Sequence, residues 1–135
     1  MRNDGVLGLT VVGPASGKHQ IVAGPPVLTL DRPGLWVHLA VVLDGNAKRV
    51  VHYVNGPPVS ETTLKLNPPF RIGTAELANW NASGVAENDP MLIRNFSGTM
   101  DEFCLYSRAL NDNEIRALYS AGKPQPDSVA ELKTN

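Results

Sequence analysis

The chain has 135 residues, a length that suits one domain with a single hydrophobic core, and its 12 Gly and 11 Pro favour many short elements joined by tight turns. The formal net charge is -1 and no run of Lys or Arg exceeds Lys48-Arg49, which argues against nucleic acid or an anionic membrane surface as the partner. No stretch approaches the roughly 20 apolar residues that span a bilayer, and no signal peptide opens the sequence, so we expect any export signal to lie upstream.

Short runs of alternating apolar and polar residues predict an all-β, antiparallel fold. One run, residues 36–43, is apolar on both faces, so it is predicted to be a central strand that is covered on both sides. The predicted strands are residues 6–12, 27–30, 36–43, 49–55, 61–66, 70–73 and 98–107.

Turn residues connect these runs into an antiparallel meander. Asp44-Gly45 and Asn55-Gly56 follow two of the predicted strands, and such pairs supply the positive φ that tight hairpin turns require. Pairs of prolines at 25–26, 57–58 and 68–69 are expected at strand boundaries, because proline cannot donate to a strand ladder.

One helix is predicted, at residues 111–121. Asn111 is the expected N-cap with Glu114 as its reciprocal capping partner, and Gly122 is a natural stop. Prolines at 124 and 126 then break any regular pattern, so residues 1–123 are predicted to form the domain and residues 124–135 a linker or tail.

The alternation also predicts which residues form the core. Cys104 is the only cysteine, so no intrachain disulfide can form, and its apolar neighbours predict a small buried side chain. The predicted core residues are Trp36, Leu39, Val41, Ile72, Phe103 and Leu105.

Two segments resemble the signatures of a known family. Residues 35–45, followed by His52-Tyr53-Val54-Asn55-Gly56, resemble the tryptophan hairpin of laminin-G-like jelly rolls. Residues 96–103, with Tyr106-Ser107-Arg108-Ala109-Leu110 and Glu114-Ile115, are similar to the closing strand and helix of bacterial concanavalin A-like lectin/glucanase domains. With Arg71-Ile72-Gly73 between them, the resemblance covers residues 35–122 in the family's order.

This resemblance implies a jelly-roll sandwich of two antiparallel sheets. Family members usually have several strands before the tryptophan hairpin, whereas about 34 residues precede Trp36 here, so the resemblance predicts that opening strands are lacking. The edges left exposed would be covered by a second copy, giving a homo-oligomer, or by the rest of a parent chain.

The resemblance also implies a function outside the cytoplasm. Bacterial domains of this kind are appended to surface and periplasmic proteins, including FecR-type transmembrane sigma-factor regulators. We therefore expect a non-catalytic module of a periplasmic, cell-surface or extracellular protein that recognises carbohydrate or glycoprotein. The alternative is a protein-interaction or structural domain of a FecR-type regulator.

Catalytic residues are not apparent in the sequence. Glycoside hydrolases need two carboxylates flanking one bond, but Asp101 and Glu102 occupy adjacent strand positions that point to opposite faces, so a hydrolase remnant is the least favoured alternative. His38 and His52 are predicted to be near each other across the hairpin, as ordinary strand histidines with hydrogen-bonded ring nitrogens rather than as a metal pair.

Asp101 is one candidate site residue. It shares a predicted strand face with Phe103 and Leu105, and a buried carboxylate needs a hydrogen-bond donor or a cation as its partner. Two roles remain open: a structural tie between the strand and the adjacent loop, and a ligand of a structural calcium ion.

The other candidate site lies in residues 76–95, which link two predicted strands without clear periodicity. Trp80 could stack on a sugar ring while polar neighbours hydrogen-bond its hydroxyls, or it could simply pin the loop to the sandwich. The candidate ligand-binding residues are Asn79, Trp80, Asn81 and Arg94.

Overall fold

The computed structural model describes residues 5–14, 18–27, 35–71 and 99–123. They form β1 (Val6–Val12), β2 (His19–Pro26), β3 (Leu39–Asp44), β4 (Arg49–Val54), β5 (Pro58–Thr63) and α1 (Asp112–Ala121). β1 and β2 pair as an antiparallel two-stranded sheet, and β3, β4 and β5 form a three-stranded antiparallel meander. The predicted architecture of two antiparallel sheets with one short C-terminal helix is confirmed.

The two sheets pack face to face through one apolar cluster. Val11 of β1 and Val22 of β2 meet Val50 of β4 and Leu64, and all four are buried. Alternation along each strand directs these side chains to the inner face, and burying an aliphatic side chain contributes about 1.5–3 kcal/mol. Partly buried residues extend the cluster: Leu9, Leu43, Leu66 and Phe70.

The opposite face of the three-stranded sheet packs against α1. Ile115 of the helix and Leu110 before it contact Val42, Val51 and Tyr53. The three-stranded sheet is therefore the middle layer, and β4 has apolar contacts on both faces.

The structure corrects the predicted position of the strand at 36–43. It pairs only with β4 among the described strands, so within the described three-stranded sheet β3 is at the edge and β4 is central. The prediction that both faces of β3 are covered still holds in part, because Val42 packs towards the helix and Leu43 packs towards the other sheet.

The two hairpin turns of the meander differ from each other. Asn55 and Gly56 adopt φ of 54° and 101°, as the Asn-Gly pair predicts. In the β3–β4 turn the residue with positive φ is Lys48, at 51°, rather than Gly45. That turn is held instead by the Asp44 carboxylate, whose Oδ1 accepts hydrogen bonds from the backbone N–H of Asn46 and Ala47.

The helix cap is confirmed in detail. Asn111 Oδ1 accepts from the backbone N–H of Asn113 and Glu114, and Glu114 Oε2 accepts from the backbone N–H of Asn111. Arg108 donates to both carboxylate oxygens of Glu114, at 2.9 and 2.6 Å. The Arg-Ala-Leu segment noted in the sequence thus closes the helix N-terminus with a bidentate ion pair.

Several strand predictions differ from the structure. The sequence analysis missed β2, which continues through Pro25 to Pro26, the register partner of Val6. Of the strand predicted at 27–30, Val27 lies outside a strand and residues 28–30 lie outside the described residues. Residues 99–107 form no strand with any described segment, and Glu102 adopts a φ of 51° that interrupts extended backbone. The strand predicted at 61–66 lies earlier in the chain, as β5. In the strand predicted at 70–73, residues 70 and 71 lie outside strands and residues 72 and 73 lie outside the described residues. Residue 98, the first of the strand predicted at 98–107, also lies outside them.

The predicted core was largely wrong. Fractional exposure runs from 37% for Val41 to 69% for Leu105, with Trp36 and Phe103 between them, and only Leu39 is half-buried. Cys104 is also exposed. Residues 99–107 lack strand partners among the described residues, so their apolar side chains face solvent. Ile72 lies outside the described residues.

Candidate binding site

An open cavity of about 190 Å³ lies at one end of the sandwich. Its walls come from the turn after β1 and from the segment after β5. We call it the lysine cavity, and it is lined by Gly13, Pro14, Lys18, Lys65, Leu66 and Asn67.

Hydrogen bonds fix both walls of the lysine cavity. Gly13 N–H donates to the carbonyl of Lys18 at 2.9 Å, which closes the β1–β2 turn. Gln20 of β2 then bridges to the segment after β5: its amide donates to the Thr63 carbonyl at 3.1 Å and accepts from Lys65 N–H at 2.7 Å. The Leu64 N–H donates to the Lys48 carbonyl at 2.7 Å. Hydrogen bonds therefore hold the backbone in place on both sides of the cavity.

The cavity is cationic. Lys18 and Lys65 line it, and Lys48 Nζ donates at 2.6 Å to Oδ1 of Asn67, a third lining residue. In the described part of the chain neither Lys18 nor Lys65 has a carboxylate partner, because the ion pairs there join Arg49 to Glu61 and Arg108 to Glu114. The positive charge at this end is thus available to a ligand.

Apolar surface accompanies this charge. Leu66 approaches Gly13 so closely that a Cβ added at the glycine would lie 3.4 Å from the leucine Cδ2. Pro14 and Leu66 thus give the cavity apolar patches beside two ammonium groups and the amide of Asn67. Such mixed linings orient a polar ligand while excluding part of its water.

This site could not be predicted from the sequence, because no motif links its lysines. Lys18, Lys48 and Lys65 are far apart in the chain and converge only when the two hairpins pack.

An exposed aromatic region lies near the C-terminal end of α1. The Tyr119 ring is 5.7 Å from the His38 ring, and Lys123 Nζ lies 4.4 Å from the centre of the Tyr119 ring. Trp36, two residues before His38, is more than half exposed. Burial lowers the pKa of His38, so its imidazole favours the neutral form.

The two histidines predicted to be neighbours lie on opposite faces of the sheet. His38 contacts Tyr119 on the helix side, whereas His52 is fully buried beside Gly24 of β2. His52 Nδ1 is 2.9 Å from Ser60 Oγ, but among the described residues neither His52 Nε2 nor His38 Nδ1 has a hydrogen-bond partner. Burial lowers the pKa of His52 as well. The expectation of hydrogen-bonded ring nitrogens therefore holds for His52 Nδ1 but, within the described residues, not for His52 Nε2 or His38 Nδ1.

Asp101 does not have the buried position predicted for it. It is exposed, and its Oδ1 accepts a 2.9 Å hydrogen bond from Glu102 N–H. Within the described segments, no three His, Cys, Asp or Glu side chains form a group that could hold a metal ion. The described residues therefore provide no set of ligands that supports the predicted calcium site.

The structure does not test the remaining predicted ligand residues. Asn79, Trp80, Asn81 and Arg94 lie outside the described residues, so the proposed sugar contact of Trp80 stays a prediction. In the part of the chain that is described, no helix is long and apolar enough to cross a membrane.

Comparison with known proteins gives one structural and one family match. An S-layer domain-containing protein from Clostridium thermocellum ATCC 27405 (residues 221-444) is similar, with 26% identity and a TM-score of 0.47. The match covers 75% of this chain but 45% of the other, so this chain spans less than half of that structure. No curated protein matches the sequence. The model of the concanavalin A-like lectin/glucanases superfamily matches residues 2–116, and the chain therefore belongs to that superfamily.

Proposed function

We propose that this chain is a non-catalytic module that recognises carbohydrate, free or on a glycoprotein, as part of a larger protein outside the cytoplasm. The observation that carries the proposal is the lysine cavity. Its mixture of ammonium, amide and apolar groups suits a ligand with many hydroxyls on a carbon frame. Membership of a superfamily whose name covers lectins and glucanases supports the same class of ligand.

The composition of the cavity supports the non-catalytic part of the proposal. Glycoside hydrolysis needs a carboxylic acid and a second carboxylate on either side of the bond. The described residues that line the cavity include neither Asp nor Glu. Asp101 and Glu102, the adjacent carboxylates in the sequence, are exposed and belong to a different part of the chain.

Calorimetric titration with a panel of neutral and acidic oligosaccharides tests the proposal. We expect at least one saccharide to bind, and we expect Asn67→Ala to weaken it by removing a lining amide. Asn113→Ala, on the exposed surface of α1, is the matched control and should leave binding unchanged. Prolonged incubation should release no new reducing ends. If no saccharide binds, or if reducing ends accumulate, the proposal is wrong.

A second candidate function rests on exposed apolar side chains. Four of them lie in the segment before α1, each about half exposed or more: Met100, Phe103, Leu105 and Tyr106. Apolar surface of this kind is typical of protein contacts, which favours the alternative of an interaction or structural domain. Light scattering of the wild type and of Leu105→Ser tests it: self-association that the substitution abolishes would support this function.

A further inference from the structure

We propose that the lysine cavity takes an anionic saccharide and that Lys18 and Lys65 hold its carboxylate or sulfate group. The inference rests on the carbohydrate recognition proposed above and names the chemical class of the ligand.

The charge balance around the cavity carries the inference. Lys18 and Lys65 both line it, and no described carboxylate neutralises either ammonium. Lys48 adds a third positive charge through its contact with Asn67. The ion pairs of the described residues therefore leave both lining ammonium groups able to bind an anion.

The size of the cavity limits what it can enclose. About 190 Å³ is smaller than the roughly 300–1,000 Å³ typical of drug-sized ligand pockets. It suits one sugar unit with its acidic substituent, while neighbouring units of an oligosaccharide would lie along the open surface. Because such a site buries little of its ligand, most of its binding affinity must come from strong polar contacts.

Charge-assisted hydrogen bonds supply such contacts. They are roughly twice as strong as bonds between neutral groups, so an acidic sugar should bind better than its neutral counterpart. A lysine ammonium acts as a compact point charge, whereas arginine offers a planar fork that matches one anion geometry. Paired lysines should therefore accept a planar carboxylate or a tetrahedral sulfate.

The experiment compares matched neutral and anionic ligands at one ionic strength. Calorimetry would measure binding of hexagalacturonate and its fully methyl-esterified form, and of sulfated and unsulfated cellohexaose. The variants are Lys18→Gln and Lys65→Gln, with Arg116→Gln as the control because it removes the same charge from the exposed surface of α1. Circular dichroism would verify that each variant folds.

We expect at least one anionic ligand to bind on the order of tenfold more tightly than its neutral partner, as one charge-assisted bond implies. Each Lys→Gln change should remove about that factor for the anionic ligand and leave the neutral one unchanged. Arg116→Gln should change neither. The galacturonate and cellohexaose pairs show whether carboxylate or sulfate is preferred.

Three results would overturn the inference, and they separate it from the proposed function. Equal binding of neutral and anionic partners would refute the anionic class but leave carbohydrate recognition standing. A loss in Arg116→Gln as large as in the lysine variants would reveal general attraction instead of a site. Failure of every saccharide, neutral or anionic, to bind would refute both proposals.

Discussion

The hydroxyl of Tyr53, in the central strand β4, donates a 2.8 Å hydrogen bond to Oδ1 of Asp112 in the first turn of α1. This bond joins the middle layer of the sandwich to the helix that covers it. Burial of the phenol, together with the bond to Asp112 and the negative charge of that carboxylate, raises the pKa of Tyr53 to about 12.

Replacing Tyr53 by Phe should destabilise the fold by about 0.5–1.5 kcal/mol at pH 7, the usual contribution of one hydrogen bond. The raised pKa adds a dependence on pH. Stability that depends on the protonated phenol is complete below its ordinary pKa of 10.0 and is lost as pH rises towards about 12. Urea unfolding at pH 7 and pH 11 should show a smaller alkaline loss in Tyr53→Phe than in the wild type. Tyr106→Phe, at an exposed position, should behave as the wild type, and equal alkaline losses in all three proteins would contradict the assignment.

Gly56 should not tolerate a side chain. Its φ is 101°, and a Cβ placed there would lie 2.8 Å from Cδ1 of Tyr119, closer than side-chain carbons normally approach. We expect Gly56→Ala to cost about 1–3 kcal/mol in backbone strain, measured by thermal or urea unfolding. Gly45→Ala is the control, because its new Cβ would be in ordinary contact with Phe70 at 3.5 Å. Similar stabilities of the two variants would contradict this account.

The Arg108–Glu114 ion pair should make the fold sensitive to acid. The hydrogen bond from Arg108, with the backbone bond from Asn111, lowers the pKa of Glu114 to about 2. A lowered carboxyl pKa gives stability that is present above the ordinary value of 4.5 and lost as pH falls towards about 2. Arg108→Gln should therefore reduce the acid-dependent loss of stability between pH 5 and 2, followed by circular dichroism. Arg116→Gln should not, and a matching change in that control would indicate a general charge effect.

The exposed position of Asp101 predicts a small effect of its substitution. Its Oδ1 accepts one local N–H, and an asparagine oxygen can do the same. We expect Asp101→Asn to change stability by no more than about 0.5 kcal/mol, as for most surface substitutions. Melting curves of both proteins with added calcium and with chelator test the calcium role as well. A calcium-dependent rise that Asp101→Asn abolishes would contradict this expectation and restore Asp101 as a ligand.

The sequence predicts local features of this fold well. The cap of α1 needs only Asn111 and Glu114 at the right spacing, and the β4–β5 turn needs only Asn55-Gly56. Each signal lies within four residues and acts through the backbone, so it can be read without knowing the tertiary structure.

Burial was harder to predict because it depends on which faces meet. Alternation predicts Phe103 and Leu105 on one buried side of a strand, but no strand forms at these described residues and both side chains are exposed. The lysine cavity was invisible for a related reason. Lys18 and Lys65 line the same cavity only because two separate hairpins pack together, and no short motif encodes that packing.

The two-sided packing of β4 has a consequence for the fidelity of folding. Val50 and His52 face the two-stranded sheet, while Val51 and Tyr53 face the helix. A pairing error of one residue would exchange the two sets, sending the imidazole towards α1 and separating the phenol from Asp112. The packing of β4 against the two-stranded sheet and its packing against the helix would both be lost. The two contacts together therefore favour the correct register of β4. Its amide hydrogens should consequently exchange with solvent only when both layers open together.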